Sequence, residues 1–187
     1  MLPSLWRFLR LEVFPRWRGI FSFADITVLA VVAGVFVWAW RGGHTFDAKA
    51  SDVCTGLLTY ASISFGFAVS GLIMALAISN EAFARLLAKT KAEGHPLSTY
   101  SDLLFVYAWT AIIHVGLIVI CLLSYAVYKP DEKFFVPSLT NFERGYSVLT
   151  GIVAAYAVMQ FVITVLTLVG FGRVYIKLLL AKDKETE

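Results

Sequence analysis

The chain has 187 residues, 59% of them hydrophobic and 15% aromatic against 16% charged, with a formal net charge of +3 and a mean hydropathy of +0.75. That balance excludes a water-soluble enzyme and a disordered chain alike, because so much apolar surface has to be buried in protein or in lipid. The two cysteines, Cys54 and Cys121, are too few for a disulfide scaffold, and their spacing fits neither a zinc site nor a Cys-x-x-Cys redox pair.

Residues 1–19 read as an amphipathic helix lying on the membrane surface. Leu2, Leu5, Trp6, Leu9 and Val13 fall on one face at helical spacing and Arg7 and Arg10 on another, the pattern of an interfacial helix over anionic headgroups. Pro15 ends it. Arginines spread over this region, with no small-residue cleavage site after a short apolar run, argue against a cleaved signal peptide. The first span is 21–40, broken only by Ser22 and Asp25 near its start. The short loop 41–52, with Gly42 and Gly43, predicts an antiparallel hairpin with the second span, 53–78. In that span Ser62, Gly66 and Ser70 repeat every four residues, as do Gly71, Ala75 and Ser79. Small residues at this spacing let another helix approach closely, either within the chain or from a second copy.

The connection 79–98 is the most informative soluble stretch. Phe83, Leu86, Leu87 and Thr90 recur at i, i+3, i+4 and i+7 with Arg85 and Lys89 on another side, which predicts helix to about residue 93, stopped by Gly94 and Pro96. Continued straight, the charged part would rise about 20 Å above its span, at 1.5 Å per residue. A bend near Ser79 and Asn80 is therefore expected, with 81–93 along the inner membrane surface and Arg85, Lys89 and Lys91 toward a partner or lipid. Thr99 and Asp102 resemble a capping box opening the third span, 103–128. The loop 129–145, with Pro130 and Pro137, is too small for a domain. The fourth span is 146–172, followed by a charged tail, 173–187.

The fold class predicted is all-α: an integral-membrane four-helix bundle with an N-terminal interfacial helix and a short amphipathic cytoplasmic segment. Each span is long enough to cross the hydrocarbon while satisfying its own backbone hydrogen bonds. Eleven of the Lys and Arg residues fall on the side of the termini and of the 79–98 connection, five on the other, which places both termini in the cytoplasm. Trp38, Trp40 and Tyr128 at one boundary and Trp17 at the other are interfacial anchors.

Few residues offer chemistry. Asp25 lies about one turn inside its span, where a proton or cation site competes with simple pairing in headgroup water. His114, mid-span, and Gln160, midway along the fourth span, are a candidate polar pair. With Thr164 they either line a pore or glue helices together, and glue is the commoner use. One His with no second ligand at i+3 or i+4 makes no metal site, and no catalytic motif or phosphate loop is present. No cofactor, metal or nucleic acid is expected. Cys54 and Cys121 both fall toward the outer ends of their spans, where a disulfide could form in an oxidising compartment; two independent buried thiols are the favoured alternative. Lipid, further copies of the chain and a cytoplasmic protein are the expected partners. A non-enzymatic oligomeric subunit that anchors or senses for that protein is the leading reading, an oligomeric channel or depolarising effector the second, and a membrane-embedded enzyme the third.

Three stretches carry a resemblance: S-I-S-F-G at 62–66, N-E-A-F-A-R-L-L at 80–87 and Y-S-D-L-L at 100–104. In texture and topology they resemble small four-span bacterial inner-membrane proteins of anti-phage defence loci, nearest the membrane subunits of Kiwa systems. The resemblance covers the middle third of the chain. It implies an inner-membrane oligomer working with a cytosolic effector in response to infection, and assigns no site residues.

Overall fold

The structure, a computed structural model, describes residues 13, 23–42, 48–77, 81–89, 98–128, 133 and 140–186. Within them the chain is helical: α1 Phe23–Gly42, α2 Ala50–Leu76, α3 Glu81–Lys89, α4 Thr99–Val127 and α5 Asn141–Thr186. Lys49 and Lys133 form an isolated antiparallel bridge. Three helices, α2, α4 and the Asn141–Lys177 part of α5, are long and apolar enough to cross a membrane. The first expected span forms the 20-residue helix α1, whose apolar stretch Ile26–Ala39 is shorter than the other three. The expected interfacial helix 1–19, apart from Val13, and Ser79 and Lys91 lie outside the described residues.

Helix boundaries depart from the expected spans for local reasons. α4 starts at Thr99, so the N-cap position belongs to Ser98, whose Oγ accepts the Ser101 amide at 3.3 Å. α5 starts well before residue 146 because Thr140 and Glu143 form a reciprocal capping box. The Thr140 amide donates to Glu143 Oε2 at 2.7 Å and the Glu143 amide to Thr140 Oγ1 at 3.3 Å, which satisfies two amides that a helix start leaves orphaned. At the other end nothing stops the helix: the residues after Gly172 are rich in Leu, Lys and Ala, strong helix formers. The expected tail thus prolongs a single helix of 46 residues. Helix α2 ends at Leu76 and α3 begins at Glu81; Ser79 and Asn80, where the bend was expected, lie outside the described residues.

Along α4 and the residue after it, Leu103, Tyr107, Thr110, His114, Leu117, Cys121, Ser124 and Tyr128 are buried at steps that alternate four and three residues, the spacing of a packed helical seam, with Phe105 buried outside that row. On α2 the buried row is Cys54, Ala61, Ser64, Ala68 and Ala75. Small side chains bring the α2 backbone close to its neighbours.

The chain forms two compact units. In the one made of 1–57 and 120–156, Ala50, Cys54 and Tyr128 form a core with Val53, Val127, Tyr146 and Val148 against it. Its helices are stitched by phenols: the Tyr128 hydroxyl donates to the Glu143 carbonyl at 2.9 Å and pairs with Ser147 Oγ, and the Tyr146 hydroxyl donates to the Ile120 carbonyl. Thr55 and Tyr125 share a 2.9 Å hydroxyl–hydroxyl bond. Cys54 and Cys121 are buried free thiols.

In the unit made of 58–119 and 157–187, Ala75, Leu103 and Tyr107 form a core with Leu72, Leu104, Leu168 and Phe171 packed on it. The Tyr100 hydroxyl donates to the Ala75 carbonyl at 3.2 Å, one of the four carbonyls that the end of α2 leaves without a helical donor. α3 is anchored by Phe83, whose ring lies edge-on to Phe171 at 5.0 Å and to Tyr175 at 4.9 Å between centroids.

Candidate functional site

Two features of the second unit gather chemistry: a buried polar chain in mid-helix and an apolar cavity beside α3. The polar chain starts at His114, which is fully buried. Its Nδ1 lies 2.7 Å from the Thr110 carbonyl one turn back. A carbonyl can only accept, so Nδ1 carries the proton, and in the neutral ring Nε2 is then an acceptor. The Tyr60 hydroxyl, 3.4 Å away, is placed to donate to it. The Tyr60 and His114 rings are 5.6 Å apart, and Phe161 closes the group edge-on to both.

Thr110 carries the chain on to α5. Its Oγ1 lies 2.6 Å from Thr164 Oγ1 and 3.5 Å from the Gln160 carbonyl, to which Thr164 also donates at 2.8 Å. Tyr60, His114, Thr110 and Thr164 thus tie α2, α4 and α5 together through groups that would be costly unpaired in an apolar surround. His114 meets α5 through the Phe161 ring, but the expected pair with Gln160 does not form: His114 bonds Thr110 and Tyr60, and Gln160 takes part through its backbone carbonyl. Thr150 and Thr167 bond carbonyls four residues back in their own helix, at 2.9 and 2.8 Å, so their hydroxyls are satisfied without a water path.

The other expected site residues divide. Gly71 and Ala75 sit on the packed side of α2, whereas Ser62, Gly66 and Ser70 are exposed, and the Ser62 hydroxyl is satisfied by the Leu58 carbonyl at 2.8 Å. Arg85 and Lys89 are exposed on α3 while Phe83 and Leu87 are buried. The side chain of Asp25 lies outside the described residues. Among the described residues no three His, Cys, Asp or Glu side chains gather as a metal ion requires.

The cavity measures about 490 Å³. Its walls include Gly71, Ala75 and Ala77 of the α2 end, Phe83 of α3, Tyr107 of α4, and Phe171, Gly172 and Tyr175 of α5. Gly71 is obligatory for this wall: a Cβ there would overlap the Tyr107 ring, at 2.7 Å from Cδ1. The Tyr107 hydroxyl is buried with no hydrogen-bond partner, an omission that costs about 1–3 kcal/mol. Tyr60, Tyr107 and Thr110 were not singled out from sequence. The signal available for Tyr107 and Thr110 was their place, with His114, in the alternating four- and three-residue row of α4. No known protein family, curated protein or solved structure matches the chain.

Proposed function

We propose that the chain is a non-enzymatic, oligomeric subunit of a bacterial inner membrane that anchors or senses for a cytoplasmic protein, in defence against phage. In this reading α1 is a fourth span and both termini are cytoplasmic, supported by its 20-residue length and by the excess of Lys and Arg on one side. The resemblance of 62–66, 80–87 and 100–104 to membrane subunits of defence loci supports the biological setting.

The observation that carries the proposal is α3. It is a short amphipathic helix held by buried Phe83 and Leu87, with Arg85 and Lys89 turned outward, a fixed basic face suited to an acidic protein surface. The polar side chains His114, Thr110 and Thr164 bond one another or their own helices, which favours packing over conduction. The test is a mild-detergent pull-down from the native host, followed by detergent-corrected light scattering. A stoichiometric soluble protein on a multimer, lost in Arg85→Glu/Lys89→Glu with the multimer mass retained, is the expected result. A clean homo-oligomer without a partner overturns it, and flux through liposomes would then be the next assay.

A further inference from the structure

We propose that the cavity beside α3 holds an acyl chain of an anionic phospholipid, with the headgroup beside Arg173 and Lys177. The proposal rests on the membrane reading of the chain and not on a soluble partner. At about 490 Å³ the cavity falls within the ~300–1,000 Å³ of small-molecule sites. Its described walls are aromatic, aliphatic or glycine and contain no charged side chain. Apolar cavities stay dry, and in a unit built of membrane-spanning helices the apolar material at hand is lipid chain.

The Tyr107 hydroxyl is itself buried and not open to the cavity, so a further observation sets the headgroup. The charged side chains that follow the lining are mostly basic. Arg173 comes directly after Gly172 and Lys177 lies at the same end of α5, both exposed. Asp102, next to Leu103, is the acidic side chain described there and is half-buried. Basic residues at the bilayer surface select anionic over zwitterionic headgroups by charge. The tail therefore sets the place and the charges set the class.

The test uses the full chain, reconstituted in vesicles of mixed phosphatidylcholine and phosphatidylglycerol, re-extracted in mild detergent and weighed by native mass spectrometry. One retained phosphatidylglycerol per chain, favoured about tenfold over phosphatidylcholine, is expected, a ratio equal to about 1.4 kcal/mol. An added Cβ at Gly172 meets nothing within 4 Å, so Gly172→Phe fills the cavity without a backbone clash and should reduce retention about tenfold with the helical circular dichroism unchanged. If that variant loses helicity, Ala77→Phe at the mouth provides the same readout. Arg173→Gln with Lys177→Gln should erase the preference for phosphatidylglycerol and leave a lipid bound. Unaltered retention in the filled variants, or equal retention of the two lipids by the parent chain, overturns the proposal. Failure to find a soluble partner would not touch it, since no soluble protein enters the assay.

Discussion

Along α2, Ala61, Ser64, Ala68 and Ala75 are buried, while Ser62, Gly66 and Ser70, one step around the helix, stand exposed. The residue types are nearly the same on both faces, and the surroundings are opposite. A Cβ on Gly71 would overlap the Tyr107 ring, whereas a Cβ on Gly66 meets nothing within 4 Å. Small residues serve close approach on the first face; on the second they leave a shallow, outward strip whose one described hydroxyl bond, from Ser62, turns back into the helix. Spacing every four residues therefore finds both strips, and only the aromatic residue opposite tells which is packed within the chain.

The contrast can be broken most strongly at Gly71. Gly71→Leu forces the Tyr107 ring away and should lower the unfolding free energy in micelles by about 3 kcal/mol, an overpacking penalty read from a denaturant titration. A smaller effect belongs to the polar chain of the same unit. In a double-mutant cycle of Thr110→Val and Thr164→Val, the 2.6 Å hydroxyl pair should show a coupling near ~0.6 kcal/mol, the usual worth of such bonds in membrane helices. A coupling near zero would mean that the two hydroxyls are held by their own helices and not by each other. Smallest is Gly66→Leu, expected to shift chain stability by no more than about 0.5 kcal/mol. Should it cost as much as Gly71→Leu, the two faces are alike and the comparison fails. If it spares the chain but lowers the mass of the assembly in light scattering, the outward strip is the contact between copies.

Much of the architecture was legible because lipid imposes it: a run of apolar residues without charge has no stable alternative to helix in a bilayer. That 81–89 forms a short helix of its own character was legible from its amphipathic spacing. The Thr140–Glu143 box was equally present in the sequence, in a segment that its prolines made look like simple loop. Less legible was which face of each span is buried. In soluble helices apolar residues mark the inside, but in an all-apolar span that contrast vanishes, and polar groups and small residues become the markers. Thr110 and His114 mark the α4 seam in this way. Tyr60, by contrast, is one more aromatic residue within an apolar run in sequence, and only the approach of His114 from another helix gives it a role. Gln160 and Thr164 were visible as polar residues, but their connection to α4 depends on register between helices, which one sequence does not contain.

Cys54 and Cys121 have a use beyond packing. Both thiols are buried and unbonded, one from α2 and one from α4, in the unit that also holds the Tyr128 and Tyr146 stitches. Alkylating reagents react with thiolates they can reach, so the folded chain carries two silent labels already installed in its interior. Any event that opens this unit, whether detergent exchange, assembly or an encounter at the membrane surface, converts hidden sulfur into reactive sulfur. The native chain is thereby its own footprinting probe, in which the alkylated peptide, holding Cys54 or Cys121, names the helix that was uncovered.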